Sequence, residues 1–282
     1  MEIKKIGIAG AGAMGLGIGQ VFAQNGFEVV LYDLTENQLN KAKTEIEKNL
    51  DGAVAKNKMT AAEKDDTMKR IKFTSSVNEL QADLIVEAII EKIEAKQELF
   101  AKLAEINGAK TILASNTSSI PITRIAKGIK NAERIVGYHF FNPAHIMKLV
   151  EIIVAAETSQ EVVNTLKELS LKVGKSPVIC KDSPGFIVNR VARHYYVESL
   201  KLLEENVAPM ETIDTLMESA GFKLGPFKLM DMVGNDINFA VTSSLFESFH
   251  RDAKFRPSRI QEQKVDAGHL GKKTGKGFYK YD

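Results

Sequence analysis

The sequence predicts an α/β protein: a doubly wound sheet carrying an inserted helical hairpin, followed by an all-helical unit. Three observations predict this. Short β-rich runs alternate with helical stretches up to about Lys181, a glycine-rich turn joins the first strand to the first helix, and β-like runs cease after "KDSPGF" until a final "GFYKY". The alternation implies strands linked by helical crossovers, and the Ser-Pro-Gly punctuation marks a change of domain. The expected units are residues 1–185 and 186–282.

The first strand ends in Ile6 and Ile8, and Gly10, Gly12 and Gly15 follow in G-x-G-x-x-G spacing. Met14 to Gln24 is patterned as a helix, with Gly26 fitting the position after its end. "EVVLYD" is a second strand closing on Asp33, 18 residues after Gly15. Such a strand–turn–helix–strand unit is the dinucleotide-binding fingerprint of a Rossmann-type domain. Gly10 allows the tight turn, Gly12 lets the backbone approach a pyrophosphate, and Gly15 lets helix pack on strand. The helix start, including Ala13 and Met14, presents unpaired N–H groups and a positive dipole end to phosphate. Asp33 is placed to accept from ribose hydroxyls and to repel a 2′-phosphate, so NAD is expected rather than NADP.

Two helices are expected next, over about residues 35–70, as the inserted hairpin. Thr35-x-x-Gln38 and Thr60-x-x-Glu63 read as capping boxes, with Leu39, Ala42, Ile46 and Leu50 on one stripe. "IKFTS", "DLIVEA", "KTILAS", "RIVGYHF" and "LVEIIVA" read as strands, several too apolar to be half-exposed. In the second unit, helices are expected over Phe186 to Glu205, Thr212 to Ala220 and Asn235 to Phe249, with a short segment from Pro257. The length and apolarity of the first of these predicts burial against a second subunit.

Composition narrows the function. A formal charge of +2 with no dense Lys/Arg run argues against nucleic acid. No apolar stretch reaches the roughly 20 residues that span a bilayer, and the N-terminus enters a strand at once, so no membrane partner and a cytoplasmic location are expected. Cys180 is the single cysteine, which excludes an internal disulfide and a multi-cysteine metal site. In "VICKD" it reads as a small buried hydrophobe.

Ligands in doubly wound sheets bind outside the carboxyl ends of the strands. "ILASNTSS" and "VGYHFFNP" carry their polar residues there, so Ser118 and His139 are expected beside the nicotinamide end of the cleft. Glu151 lies in the apolar "KLVEIIV", where an unpaired carboxylate would be costly. A histidine is a suitable partner, and a carboxylate-backed imidazole moves one proton near neutral pH. Asn189 opens the helical unit with a polar side chain able to reach back. Of the other four histidines, His194, His250 and His269 read as packing or surface groups, and His145 as the competitor to His139.

At these residues the sequence resembles the short-chain L-3-hydroxyacyl-CoA dehydrogenases, especially the bacterial 3-hydroxybutyryl-CoA dehydrogenases. The motifs are "GAGAMGLGI", "VEAIIEKIEAK", "ILASNTSSI", "HFFNPAHIMKLVEII", "CKDSPGFIVNRV", "GPFKLMDMVG" and "GHLGKKTGKGFYKY". The resemblance implies a Rossmann domain followed by a helical domain that makes a homodimer. It implies His139 as catalytic acid/base, Glu151 as its partner, and Ser118 and Asn189 as substrate contacts. It further implies Glu91, Lys96, Ser118, Asn142 and Lys273 as NAD contacts and Lys56 as a CoA contact. Position 52, a lysine in many bacterial members, is Gly52 here, and Lys58 lies nearby. The expected reaction interconverts acetoacetyl-CoA and 3-hydroxybutyryl-CoA, with 3-hydroxyadipyl-CoA or a free hydroxy acid as alternatives. A catalytically silent NAD-binding sensor is the alternative of another class. The loop "MESAGFKLGPFKLMD" is expected to shape the acyl pocket.

Overall fold

The computed structural model describes residues 2–281 and divides the chain into two compact units, Met1–Ser183 and Pro184–Asp282. The first unit runs β1 (Lys5–Ala9), α1 (Ala13–Gln24), β2 (Glu28–Tyr32), α2 (Glu36–Ala55), α3 (Ala61–Lys69) and β3 (Ile71–Thr74). It continues through β4 (Leu84–Glu87), α4 (Ile93–Ile106), β5 (Ile112–Ser115), α5 (Ile122–Ile125) and β6 (Ile135–Phe140). Finally come β7 (Leu149–Val154), α6 (Gln160–Lys172) and β8 (Ser176–Lys181). All eight strands form one sheet in the order β3-β2-β1-β4-β5-β6-β7-β8. The reversal of order beside β1 creates the crevice at which such sheets bind ligands.

Burial explains the strand assignments. Ile6, Ile8, Leu31, Leu84, Val86, Ile112, Val136 and Tyr138 are almost inaccessible, as expected of strands covered on both faces. The pattern breaks once: β7 runs antiparallel to β6, with His139 opposite Glu151. Hydrophobic content reports that a strand is buried, not its direction, so this reversal was not readable from composition.

The hairpin α2–α3 packs through Leu39, Ala42, Ile46 and Leu50. Thr60 and Glu63 form a complete capping box. At Thr35 only half of the expected box exists: its hydroxyl accepts from Gln38 N–H, while the Gln38 amide is engaged elsewhere. Cys180 also departs from expectation. It lies on the edge strand β8, half-buried beside exposed Val178 and Ile179. Burial, with Glu151 and Asp182 nearby, pushes its thiol up to about 12, so it remains protonated and a poor nucleophile.

The second unit contains α7 (Val188–Glu204), α8 (Met210–Ser219), α9 (Pro226–Val233), α10 (Asn235–Ser248) and α11 (Arg259–Asp266). Helix α9 occupies part of the stretch expected as a pocket-shaping loop. Pro226 sits in its first turn, and its leading N–H groups are bonded by a distant side chain, with Asp214 accepting from Phe227 (2.9 Å) and Lys228 (3.1 Å). The terminal "GFYKY" is likewise no regular strand and contributes only isolated bridges. The buried Asp231 carboxylate holds it, accepting from Phe278 N–H, Tyr279 N–H and the Tyr281 hydroxyl.

Candidate active site

The turn between β1 and α1 has the stereochemistry of a phosphate cradle. Gly10 has φ +105°, and a Cβ there would meet the Ala88 carbonyl oxygen at 2.5 Å. A Cβ at Gly15 would lie 1.8 Å from the Gly10 carbonyl oxygen. Around Gly12, in contrast, nothing lies within 4 Å, so the backbone is open to a ligand where α1 begins. Ala13 and Met14 are the first two residues of that helix.

A cleft of about 720 Å³ extends from these glycines past Asp33. Leu34, Val77, Ile90 and Leu99 form apolar walls. Leu34 is 81% exposed and Ile90 62%, so the cleft offers apolar surface that a flat ring system could cover. Asp33 Oδ2 accepts from Ala11 N–H at 2.9 Å, and Oδ1 from Thr35 N–H at 3.2 Å. Each oxygen keeps a further lone pair for a hydroxyl donor. Gln38 completes the arrangement by donating its amide to the Ala11 carbonyl at 2.8 Å. Ala11 is thereby held through both its N–H and its carbonyl. The open cradle, a carboxylate acceptor and an apolar slot in sequence fit NAD.

At the carboxyl ends of β5 and β6 the polar residues gather. Ser115 is in register with Gly137, two residues before His139. Asn116 Oδ1 accepts from Phe140 N–H at 2.8 Å, which ties the loop carrying Ser118 to the strand carrying His139. His139 and Glu151 are both almost fully buried, and their Nδ1 and Oε2 are 2.8 Å apart. With Nδ1–H donating to the carboxylate, Nε2 is the nitrogen that carries the lone pair. His145 follows the cis Asn142–Pro143 peptide, half-buried in the turn between β6 and β7 and outside their strand register. Burial and the nearby Lys175 ammonium hold its pKa below the ordinary histidine value. His194 stacks on Phe255, with ring centroids 5.2 Å apart.

Beneath the cleft lies a group that sequence reasoning missed in part. Glu87 ends β4, fully buried, and accepts from Lys96 Nζ (2.5 Å), Ser115 Oγ (2.6 Å) and Ile89 N–H (2.8 Å). Lys96 Nζ also pairs with Glu91 at 3.2 Å. Glu91 in turn accepts from the Thr117 and Ser119 hydroxyls and from Ser118 N–H. Burial opposes ionisation of Glu91, but the Lys96 ammonium and the Thr117 and Ser118 bonds outweigh it and hold the carboxyl below its ordinary range. The side chain of Lys96, expected as a cofactor contact, is 1% exposed and held between two carboxylates. The only available signal was the four-residue spacing of Glu87 and Glu91 ahead of a lysine.

The remaining expected residues are dispersed. Lys56 caps the C-terminal end of α2 and, like Lys58, is exposed at the tip of the hairpin. Gly52 lies one turn earlier on that helix, with nothing within 4 Å of an added Cβ. Asn142 is exposed in the turn after β6. In the second unit, Asn189 stands in the first turn of α7, and Lys273 Nζ pairs with Asp236 at 2.6 Å. Among the described residues no helix is long and apolar enough to cross a membrane, and no His/Cys/Asp/Glu group could hold a metal ion.

Comparison with known proteins gives concordant matches. The family profile for the NAD-binding domain of 3-hydroxyacyl-CoA dehydrogenase matches residues 5–183, and that for the C-terminal domain of 3-hydroxyacyl-CoA dehydrogenase matches residues 185–281. A 3-hydroxyadipyl-CoA dehydrogenase of Escherichia coli K12 is 47% identical over 99% of this chain, which spans 59% of that relative's length. A probable 3-hydroxybutyryl-CoA dehydrogenase of Deinococcus radiodurans is 41% identical, covering 98% of this chain and 100% of the relative. The crystal structure of an (S)-3-hydroxybutyryl-CoA dehydrogenase from Ralstonia eutropha superimposes with a TM-score of 0.95 at 38% identity, covering 100% of both chains.

Proposed function

The chain belongs to the 3-hydroxyacyl-CoA dehydrogenase family, and on that premise we propose that it interconverts short-chain 3-hydroxyacyl-CoA and 3-ketoacyl-CoA with NAD(H). One observation carries the reading: the 2.8 Å His139–Glu151 pair, at the same strand ends as the glycine cradle. Gly10, Gly12 and Gly15 would hold the pyrophosphate of NAD(H) and Asp33 its ribose; bound there, it would supply the hydride acceptor or donor for C3 of the acyl chain.

The chain's own residues handle the proton and the orientation. In oxidation, His139 Nε2 takes the 3-hydroxyl proton while Glu151 accepts from Nδ1–H and stabilises the imidazolium. In reduction, the same Nε2–H returns a proton to the 3-oxygen. Burial of the pair strengthens its electrostatics relative to water and fixes the ring's tautomer. Within the first unit, Ser118 donates a hydrogen bond around the 3-oxygen and thioester. Asn142 and Glu91 contribute to the nicotinamide end. Lys56 holds CoA phosphate as a point charge.

A homodimer through the helical unit is part of this proposal, supported by exposed Val191, Leu216, Phe222 and Ile237. A monomer mass in sedimentation of the full chain would contradict it. We place the enzyme in the cytoplasm, where the unpaired Cys180 thiol suits a reducing medium.

The test is a turnover panel of NADH or NADPH with acetoacetyl-CoA, longer 3-ketoacyl-CoAs, 3-oxoadipyl-CoA and free acetoacetate. NADH consumption is expected with CoA thioesters, fastest with short chains. Turnover of the free acid alone would contradict the CoA assignment, and preference for 3-oxoadipyl-CoA would move the substrate to the dicarboxylic class named for the Escherichia coli relative.

A further inference from the structure

Glu87 is a buried carboxylate that the proposed mechanism does not use, and its surroundings give it a task. A side chain of this kind at the end of a central strand is costly to bury and is normally retained only with good partners. Glu87 has three: the Lys96 ammonium, the Ser115 hydroxyl and the Ile89 N–H. Its Ile89 bond shapes the turn after β4, whose Ala88, Ile89 and Ile90 line the cofactor cleft. The Ser115 bond reaches the end of β5, where Ser115 Oγ accepts Thr117 N–H at 3.2 Å.

The third partner is shared. Lys96 Nζ lies 2.5 Å from Glu87 and 3.2 Å from Glu91, so one cation serves two carboxylates. The Glu91 oxygen that does not face Lys96 accepts from Thr117, Ser118 and Ser119, the loop that begins the substrate side of the site. A continuous ladder, Glu87–Lys96–Glu91–Ser118 loop, therefore runs under the cleft from the cofactor turn to the serine loop.

We infer that Glu87 is a positioning residue for cofactor binding: by holding Lys96 back, it sets where the Glu91 carboxylate stands between the turn after β4, which lines the cofactor cleft, and the Ser118 loop. With a neutral side chain at position 87, the Lys96 ammonium swings fully onto Glu91. That draws the carboxylate off the loop, and both edges of the site shift together. This inference rests on the NAD(H) reading of the cleft.

The experiment is a double-mutant cycle read by NADH binding, using fluorescence titration of the full-length protein without substrate. Glu87→Gln is close in size, keeps hydrogen-bonding capacity and leaves Lys96 with Glu91 as counter-ion. In the wild-type background it is expected to weaken NADH by about tenfold, and in a Glu91→Gln background by less than about twofold, because the ladder is already cut. Ser115→Ala, which removes one hydrogen bond and no charge, is a second probe should Glu87→Gln fail to fold. It should weaken NADH by about threefold and also lose its effect in Glu91→Gln. Thermal unfolding of each variant separates loss of fold from loss of position.

Unchanged NADH affinity in a folded Glu87→Gln or Ser115→Ala, or an equal loss with and without Glu91, would overturn the inference while leaving the cofactor assignment intact. Failure of the wild-type protein to bind NADH would overturn the functional reading and this inference with it.

Discussion

Glu151 stands opposite His139 across the one antiparallel junction of the sheet, its Oε2 2.8 Å from the imidazole Nδ1. Cross-strand register places the two side chains on the same face. Both are almost fully buried, so the carboxylate dictates which ring nitrogen carries the hydrogen. Glu151→Gln tests this directly. Its amide can satisfy Nδ1 with the wrong tautomer and cannot stabilise an imidazolium. Turnover should fall by on the order of 10²–10⁴ in kcat with NADH affinity little changed. Wild-type kcat in the variant would show that the pair serves packing alone.

Asp33 determines cofactor choice in this account. Its carboxylate is oriented by Ala11 and Thr35 N–H groups and lines the cleft beside Leu34. Asp33→Ala should weaken NADH by about tenfold or more, the scale of a lost charge-assisted hydrogen bond, and bring NADPH closer in affinity. Titration with both nucleotides checks it. An unaltered NADH/NADPH ratio would assign ribose selection to another residue.

Gly52 is an open position on the hairpin, one turn before Lys56. Gly52→Lys adds a cation on the same helix face and replaces a residue that costs a helix interior about 0.8–1 kcal/mol. The KM for acetoacetyl-CoA should drop about threefold, with a steeper salt dependence, as expected of one more phosphate contact of about 0.6 kcal/mol. A pantetheine thioester lacking the nucleotide should be unaffected. Equal improvement for both substrates would move the CoA phosphates elsewhere.

Glu91 supplies a pH signature. Its folded-state pKa is depressed from 4.5, against the pull of burial, by Lys96 and the Thr117 and Ser118 bonds. A depressed carboxyl stabilises the fold above its unfolded pKa and loses that contribution as pH falls through the folded value. The gap in thermal midpoint between wild type and Glu91→Gln should therefore be constant from neutral pH to about 5 and close under stronger acid. A gap that closes nearer neutrality would mean that Lys96 does not hold the ionised form.

The parts legible in the sequence were those whose geometry is local. Gly10, Gly12, Gly15 and Asp33 lie within one strand–helix–strand unit, so spacing alone implied the cradle. The buried strands were legible because seven apolar runs left few alternatives. What could not be read depends on distant partners. Gln38 has the spacing of a capping box, yet its amide goes to the Ala11 carbonyl. Helix α9 was missed because Asp214, a side chain from α8, bonds its first N–H groups. The Lys96 ammonium sits against the Glu87 carboxylate, nine residues earlier on a strand, a pairing that local periodicity does not mark. The direction of β7, which alone brings Glu151 to His139, leaves no mark in hydrophobic periodicity.

The central claim is that His139 moves the substrate proton. The most direct measurement compares wild type and His139→Ala for NADH oxidation at 340 nm with saturating acetoacetyl-CoA, alongside NADH binding by fluorescence. The account predicts kcat lower by on the order of 10²–10⁴ with NADH affinity within about twofold. Wild-type kcat in the folded variant would contradict it.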